Sequence, residues 1–498
     1  MRRFITTTVG CKVNQYDTEA VSALLGGLGL ARAAGAGEGA DLLVVNTCCV
    51  TAAAAAKSRR AVRRMVRRHP HAAVLILGCS ATRDALSLRR AARDAGAAGP
   101  VHIAGHGDDV ASCVRDCVAS LGPGTHTCGG EETPAPAGAV GNEGWMKAGA
   151  SYIPVGTDPS VASISTHIRA HPPASVKGNL TASALPPIRT FAGHQRAFVK
   201  VQDGCDAFCT YCIVPHLRRR VGWRRQRDVL DEVRALVANG HREVVLCGVF
   251  LGAYGQPTAL RRRWTAPAAL PGLLRQVAAV EGLWRVRLSS LEPGDLTGQL
   301  LEAFAQCPTV APHLHLPLQS GSRRILQRMN RQYDPDSYLD AVERLRQAVA
   351  DPAVTTDVLV GFPGETDGDF DSTLDVARRA GFTKIHIFPF SAREGTAAWN
   401  WRDQAPPADV IRARCARLAE LAREMAERFR AGFLGRTLQV LVQQPNSETP
   451  PGHHRGLTDR YIEVRFPAPA GACDLVGRVV PVRIAAPAPG GLAGVVAG

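Results

Sequence analysis

The chain has 498 residues, 45% of them hydrophobic, and this length predicts roughly three domains with ample apolar cores. Its 59 basic and 44 acidic residues give a net charge of +15, which favours a polyanionic partner, usually nucleic acid. A genome of high GC content, which loads Arg and Ala everywhere, is the alternative source of this charge. No apolar run is long enough to cross a membrane and the basic start has no long apolar stretch, so we expect a cytoplasmic protein. Fourteen cysteines in such a chain indicate metal or redox chemistry rather than disulfides.

Residues 1–120 alternate between predicted strands and helices, which indicates an open α/β sheet with helices on its faces. Strands are predicted at residues 4–9, 42–45 and 74–77, and helices at 17–28 and 52–68. Cys11, Cys48 and Cys79 each follow one of these strands. Because the carboxyl ends of parallel strands meet at one edge of an open sheet, we expect the three thiols to share a metal site. The alternative for any one of them is a small buried apolar residue, and we take Cys49 as a bystander.

The second predicted helix is strongly basic. It contains no acidic residue, and a solvated helix face usually mixes the two signs of charge. The sequence therefore predicts a phosphate-binding surface, with a solvated face as the alternative. Its seven basic residues are Lys57, Arg59, Arg60, Arg63, Arg64, Arg67 and Arg68.

Residues 121–190 are rich in Gly, Pro, Ala, Ser and Thr and have no sustained apolar periodicity. This composition predicts a long, largely disordered linker or insertion. Its Cys128 and its histidines, His126, His167 and His171, form no recognisable metal-binding spacing.

Residues 191–428 repeat a strand-then-helix pattern six times, which predicts a partial parallel barrel. The predicted strands cover residues 197–201, 243–247, 285–288, 313–316, 355–360 and 384–388. Active sites of such barrels lie at the carboxyl ends of the strands, and each predicted strand ends in a loop with polar residues or glycine. Ser290, Glu292 and Gln319 would face the barrel mouth, where they suit a ribose or an amino acid moiety. Each loop taken alone could instead be a turn or a helix cap.

The first of these loops carries Cys205, Cys209 and Cys212 in the spacing Cys-x3-Cys-x2-Cys. Thiolates on so short a loop can converge on one soft metal centre, and three ligands leave one corner of a four-iron cluster open. This triplet resembles the signature of the radical S-adenosylmethionine enzymes. The alternative is a zinc site completed by His216. An arginine-rich run with Trp223 follows and predicts contact with RNA: Arg218, Arg219, Arg220, Arg224, Arg225 and Arg227.

Residues 430–498 contain short strands, predicted at 437–442, 461–465 and 479–484, separated by Gly and Pro. This pattern predicts a small β-barrel, a module that often binds RNA. Dimerisation or packing is the alternative role.

The order of these motifs resembles the methylthiotransferases, radical S-adenosylmethionine enzymes with two [4Fe–4S] clusters. The matching residues are 10–15, 46–48, 78–79 and the triplet with its tail at 213–215. The resemblance implies an N-terminal α/β domain at 1–120, a radical barrel at 191–428 and a C-terminal TRAM-like domain at 430–498. Residues 11–19 resemble the subgroup that modifies N6-threonylcarbamoyladenosine next to the anticodon of tRNA.

By that resemblance, Cys205, Cys209 and Cys212 would bind the cluster that cleaves S-adenosylmethionine, yielding a radical that abstracts hydrogen from C2 of the base. Cys11, Cys48 and Cys79 would bind an auxiliary cluster that carries or supplies sulfur, and a second S-adenosylmethionine would donate the methyl group. An electron donor of the flavodoxin or ferredoxin type is implied. The loops at the barrel mouth predict S-adenosylmethionine contacts from Ser290, Glu292, Gln319, Gly361 and Glu365.

Three alternatives stay open at this stage. The same chemistry could act on a ribosomal protein side chain or on another tRNA adenosine. The chain could instead be a non-catalytic RNA-binding protein with structural zinc.

Overall fold

The computed structural model describes residues 1–33, 38–122, 185–468 and 475–497. The N-terminal part is a parallel five-stranded sheet in the order β2-β1-β3-β4-β5. The central strands are buried along their whole length because helices cover both faces of the sheet. The strands are β1 Arg3–Thr8, β2 Ala31–Arg32, β3 Leu42–Thr47, β4 Ala73–Gly78 and β5 Val101–Ala104, and the helices are α1 Lys12–Gly27, α2 Ala52–Arg68, α3 Cys79–Arg83, α4 Ala85–Arg93 and α5 Val110–Ala119.

The predicted open α/β sheet is confirmed, but several of its elements differ from the prediction. Helix α1 begins at Lys12 rather than at residue 17, because Cys11 already occupies its N-cap position. The short edge strands β2 and β5 are absent from the sequence prediction, since two to four residues carry too little alternation to be recognised.

The central part is a partial barrel of six parallel strands. They form two sheets, in the orders β10-β9-β6 and β11-β12-β13, which a parallel bridge between Ser290 and His315 joins. The strands are β6 Arg196–Lys200, β9 Glu243–Cys247, β10 Arg285–Leu288, β11 His313–His315, β12 Ala353–Val360 and β13 Lys384–Pro389, and a two-stranded ribbon, β7 Gln202–Asp203 with β8 Gly222–Trp223, follows β6. The six strands thus lie in chain order, which confirms the predicted partial barrel.

Helices cover the outside of this barrel. They are α6 Val214–Leu217, α7 Gln226–Ala238, α8 Leu270–Ala278, α9 Gly298–Gln306, α10 Arg323–Arg328, α11 Pro335–Ala348, α12 Asp367–Ala380 and α13 Ala408–Ala431. Helices α11 and α12 start at capping boxes formed by Asp334 with Ser337 and by Thr366 with Asp369, which satisfy the first free backbone N–H groups. Among the described helices, none is both long and apolar enough to cross a membrane.

The C-terminal part is a closed five-stranded barrel in the order β14-β15-β16-β18-β17, which confirms the predicted small β-barrel. One predicted boundary is wrong. The sequence pattern places Tyr461 in a strand, but this residue has a φ of +59° in the turn that precedes β16, and the strand starts two residues later. The strands are β14 Thr437–Gln443, β15 His453–Leu457, β16 Glu463–Pro467, β17 Val479–Ala488 and β18 Gly491–Val496.

The turn at residues 458–461 docks the small barrel onto the amino end of the large one. Arg287 donates hydrogen bonds to the carbonyl oxygens of Thr458 (2.7 Å) and Asp459. The ring of Tyr461 lies 4.5 Å from that of His313 and 4.1 Å from the Arg287 guanidinium. Buried Glu243 pairs with both Arg287 (2.7 Å) and Arg285 (3.0 Å). Burial alone would raise the pKa of Glu243, but the two guanidiniums hold that pKa below its ordinary value.

Most of the predicted linker cannot be compared with the structure. Residues 123–184, including Cys128, His126, His167 and His171, lie outside the described residues.

Replacing Glu243 with Gln should destabilise this junction. Two buried guanidiniums would lose their counter-ion, and breaking a buried pair from one side costs about 3–5 kcal/mol. We expect a lower urea midpoint, measured by circular dichroism. As a control, Asp231→Asn breaks an exposed pair with Arg227 at 3.7 Å and should change stability by at most about 0.5 kcal/mol. Equal midpoints for the two variants would contradict the prediction.

Candidate metal centres

The structure places Cys11, Cys48 and Cys79 at one edge of the N-terminal sheet, as predicted. They follow the neighbouring strands β1, β3 and β4. Two buried asparagines connect their loops: Asn14 Nδ2 donates to Asn46 Oδ1 (3.1 Å), and Asn46 Nδ2 donates to the Asn14 carbonyl oxygen (2.9 Å). This exchange explains why asparagines accompany the first two cysteines in the sequence.

Glycine is required before the third cysteine. Gly78 has a φ of +95°, and a Cβ there would lie 2.3 Å from Asn46 Oδ1. The backbone of Cys48 is anchored in turn, since its carbonyl oxygen accepts hydrogen bonds from Ser58 Oγ (2.9 Å) and Ser80 Oγ (2.8 Å). The N-terminal thiols therefore project from loops that are held on several sides.

His106 contacts this site and was missed by the sequence reasoning. Its Nε2 lies 3.4 Å from Cys79 Sγ. Burial lowers the pKa of His106 to about 4, so its imidazole is neutral at pH 7. Burial raises the pKa of Cys48 to about 11 and that of Cys79 further, so a metal that binds these thiols must displace their protons. No motif surrounds His106, and only the fold brings it to Cys79.

The loop of Cys205, Cys209 and Cys212 is held from both ends. The Cys205 N–H donates to the Arg218 carbonyl oxygen (3.1 Å). Thr210 donates from its N–H to the Met329 carbonyl oxygen (3.0 Å) and from its Oγ1 to that of Arg328 (2.9 Å). The triplet is thus attached to the segment after α10, more than a hundred residues away in the chain.

Arg331 links this triplet to the barrel rim. Its Nη1 lies 3.2 Å from Cys209 Sγ, and its other terminal nitrogen pairs with Glu292 at 2.7 Å. Arg261 binds the second oxygen of Glu292, also at 2.7 Å. Burial raises the pKa of Cys212 to about 12. The positive charge of Arg331 acts in the opposite direction and favours the thiolate that a metal needs. Sequence reasoning missed both arginines, which lie outside the motifs.

The spacing of the thiols bears on the zinc alternative. All six cysteines are free thiols. Within the described part of the chain, one group of three potential ligands has its ligand atoms within 4.8 Å of one another, namely His315, Asp357 and His386. Thiolates around one tetrahedral zinc ion lie about 3.8 Å apart, so both cysteine triplets are more open than a single zinc ion requires. His216, the fourth ligand of the zinc alternative, packs its ring against that of Phe208 at 5.6 Å. The wide spacing of the cysteine sulfurs fits a larger cluster.

The five predicted S-adenosylmethionine contacts lie in the loops after β10, β11 and β12. Ser290 is exposed, and Gln319, at a φ of +64°, is half-buried. Glu365 is buried, and its Oε2 accepts hydrogen bonds from the Gly361 N–H (2.8 Å) and from Arg414 (2.8 Å). Glu292 and Glu365 are therefore both held by arginines of the chain itself, and their contact with S-adenosylmethionine stays a prediction.

A buried ion-pair network lies between the two triplets. Arg218, whose side chain is 4% exposed, pairs with Asp203 (2.7 Å) and Asp17 (3.1 Å) and donates to Asn14 Oδ1 (3.2 Å). Lys200 pairs with the same two aspartates. Burial alone would raise the pKa of Asp203, but Arg218 and Lys200 hold that pKa far below its ordinary value. The network joins α1 of the N-terminal domain to the first strand of the barrel.

The predicted RNA-binding role of the arginine run is wrong for two of its members. Arg218 is buried in this network, and Arg224 pairs with fully buried Glu232 at 3.1 Å. Neither guanidinium is available at the surface for phosphate. The other four arginines of the run are exposed, and their contact with RNA stays a prediction: Arg219, Arg220, Arg225 and Arg227.

Cys49 packs with Cys79 and with two residues that follow the second triplet, Ile213 and Leu217. It contributes an apolar contact between the loops of the two cysteine sites. This packing accounts for its burial without a ligand role.

Comparison with known proteins agrees with this geometry. Residues 199–377 match the Radical SAM superfamily, and residues 3–97 match a family described as uncharacterized protein family UPF0004. The central barrel with its cysteine triplet is thus a radical S-adenosylmethionine domain.

Full-length relatives define the family more narrowly. A protein of Chlamydia pneumoniae named threonylcarbamoyladenosine tRNA methylthiotransferase MtaB is 32% identical over 93% of this chain and 91% of its own length. One of Bacillus subtilis with the same name is 30% identical, covering 96% and 92%. A tRNA-2-methylthio-N(6)-dimethylallyladenosine synthase of Anaeromyxobacter dehalogenans is 35% identical, covering 97% and 92%. The chain belongs to the radical S-adenosylmethionine methylthiotransferases, transferases whose cofactors are S-adenosylmethionine and [4Fe–4S] clusters.

Replacing Gly204 with Ala tests the second triplet. Gly204 has a φ of +78°, and a Cβ there would lie 1.7 Å from the backbone oxygen of Arg220. Gly435 has the same φ of +78° with no atom within 4 Å of its Cβ position, so Gly435→Ala isolates the backbone strain, about 1–2 kcal/mol. The clash should cost Gly204→Ala about 1–3 kcal/mol more and reduce the iron bound per chain. If the two variants unfold and bind iron alike, the loop does not need glycine.

Proposed function

We propose that the chain converts N6-threonylcarbamoyladenosine, next to the anticodon of tRNA, to its 2-methylthio derivative. Two [4Fe–4S] clusters would serve this reaction, one held by Cys205, Cys209 and Cys212 and the other by Cys11, Cys48 and Cys79. The observation that carries the proposal is the presence of two open triplets of free thiols on either side of one buried charge network.

When bound, the clusters and S-adenosylmethionine would supply the chemistry. The hydrogen of C2 would leave on 5′-deoxyadenosine with release of methionine, and sulfur carried or supplied by the auxiliary cluster would take its place on C2. A second S-adenosylmethionine would methylate that sulfur and leave as S-adenosylhomocysteine, and a flavodoxin- or ferredoxin-like donor would give the electron for the first cleavage. The chain's own residues would orient these groups. Arg331 positions the Cys209 sulfur against Glu292, and Asn14 holds the loop of Cys11. The expected S-adenosylmethionine contacts at the rim remain Ser290, Glu292, Gln319, Gly361 and Glu365.

Two observations support tRNA and this base. The relatives that match over more than nine tenths of this chain are named as tRNA-modifying enzymes, and two of them are named for threonylcarbamoyladenosine. Residues 11–19 resemble that subgroup. A ribosomal protein substrate would leave the basic surface of α2 without a role.

Helix α2 would guide the RNA to the barrel mouth. Its six arginines make no ion pair within the described residues, and four of them are exposed: Arg60, Arg64, Arg67 and Arg68. The helix begins at the rim, where the Ala52 N–H donates to Ser391 Oγ (3.2 Å) in the loop after β13. A phosphate backbone bound along α2 would therefore lead to the ends of the barrel strands.

Mass analysis of tRNA nucleosides tests the substrate. A deletion strain should lose 2-methylthio-N6-threonylcarbamoyladenosine and retain its unmethylthiolated precursor, and complementation should restore it. Persistence of the methylthio nucleoside in the deletion strain would overturn the assignment.

Iron analysis tests the two clusters. The anaerobically reconstituted protein should be brown, and alanine replacement of either complete triplet should remove about half of its iron, because each triplet holds a separate four-iron cluster. A colourless protein that retains zinc after reconstitution would support the non-catalytic alternative instead.

Neutralising the basic helix should weaken tRNA binding. In the combined variant Arg60→Ser, Arg64→Ser, Arg67→Ser, the slope of log K against log salt should become shallower by roughly one for each phosphate that is no longer neutralised. Fluorescence anisotropy with labelled tRNA at several salt concentrations measures this slope. The control is Arg417→Ser with Arg423→Ser on α13, where the two arginines are already paired with Asp371 and Glu427. Equal slopes for the two variants would exclude α2 from the RNA-binding surface.

A further inference from the structure

Three polar side chains lie together inside the large barrel. His315, Asp357 and His386 belong to the neighbouring strands β11, β12 and β13, and Asp357 is directly opposite His386 in the strand register. Their sequence neighbours Leu314, Leu316, Val358 and Ile385 are buried in the core against the helices. Because successive residues of a strand face opposite sides, the three polar side chains face the barrel interior.

These side chains hold one another in place. His315 Nε2 lies 3.3 Å from Asp357 Oδ2, and its Nδ1 lies 2.9 Å from Thr355 Oγ1. The rings of His315 and His386 are 5.8 Å apart. All three are partly exposed, so the group lines a space that another molecule can reach.

Lys12 adds a positive charge to this group. It is the first residue of α1, directly after Cys11. Burial alone would raise the pKa of Asp357, whereas His315, His386 and Lys12 lower that pKa. Within the described residues Lys12 has no ion pair with a carboxylate. A half-buried lysine without a counter-ion favours an anionic ligand.

Three kinds of ligand are compared for such a group. Two histidines and one carboxylate can bind a divalent cation, but the Lys12 ammonium would repel it. An apolar dimethylallyl group would leave the Lys12 ammonium without a partner, which is costly. A substituent with a carboxylate, a hydroxyl and N–H groups would satisfy the lysine, the histidines and the aspartate together.

We propose that Lys12, His315, Asp357 and His386 form the subsite for the threonylcarbamoyl substituent, with Lys12 pairing with its carboxylate. This inference rests on the proposed function and adds the residues that select the base. Cys11 and Lys12 are consecutive, so the same helix start would carry an auxiliary-cluster ligand and the group that recognises the substituent. The base would thereby be held close to the site from which sulfur is delivered.

The test measures how strongly the reconstituted enzyme prefers the modified base. Anticodon stem-loop RNAs carrying adenosine or N6-threonylcarbamoyladenosine are compared by fluorescence anisotropy, and wild type should bind the second about tenfold more tightly. Lys12→Met and His386→Phe should each reduce this preference towards onefold, whereas Lys12→Arg should retain most of it. Iron per chain is measured for every variant, so that a disturbed cluster next to Lys12 is recognised.

Arg60→Met on α2 is the matched control, since it should weaken binding of both RNAs equally and leave the preference unchanged. An unchanged preference in Lys12→Met and His386→Phe would overturn the proposal, while loss of the methylthio nucleoside in the deletion strain would still support the proposed function. Binding of added Zn²⁺ or Mn²⁺ in a stoichiometric amount beyond the cluster iron, lost in Asp357→Asn, would also overturn it and assign a metal site. If wild type showed no preference and the deletion strain kept its methylthio-threonylcarbamoyl nucleoside, the proposed function itself would fail.

Discussion

The buried charges of Asp17, Lys200, Asp203 and Arg218 determine how the N-terminal domain sits on the barrel. Removing four charges from water is unfavourable, and here the two cations and two carboxylates compensate one another because each contacts both partners of opposite sign. Asp17 lies on α1, which starts directly after Cys11, and Arg218 closes the loop that starts at Cys205. The network thus couples the positions of the two cysteine sites. If both triplets hold clusters that act on one base, as proposed, such a rigid connection would serve the reaction, since catalysis depends on orientation.

Apolar contacts reinforce this coupling. The packing of Cys49 and Cys79 against Ile213 and Leu217 excludes water beside the charged network and strengthens the electrostatic interactions there. Arg331 extends the connection to the rim through Cys209 and Glu292. Polar and apolar contacts together thus connect the N-terminal sheet to the barrel mouth.

Much of the architecture could be predicted from the sequence, because strongly patterned strands, helices and cysteine spacings are local signals. The three N-terminal cysteines could be brought together from their positions after parallel strands alone. The arginine run could not be interpreted correctly, since burial is decided by partners far away: Asp17 is 201 residues from Arg218. His106 and Arg331 were missed for the same reason, as neither lies in a motif and Arg331 is 122 residues from Cys209.

The glutamates at the barrel mouth show a second limit of sequence reasoning. Glu292 and Glu365 lie where ligand-binding residues are expected, yet both accept hydrogen bonds from buried arginines. A carboxylate that binds a ligand and one that anchors its own loop have the same sequence signal. Only the position of the arginine, which comes from another element, distinguishes them.

The turn at residues 458–461 gives the C-terminal barrel a structural role in addition to its predicted contact with RNA. Tyr461 of this turn contacts both His313 and Arg287 and so covers the amino ends of β10 and β11. In the proposed reaction, a base that entered the barrel would therefore leave at the carboxyl ends of the strands, next to α2. Substrate and product would then use the same end of the barrel. Loss of the small barrel would expose the other end to water and oxygen.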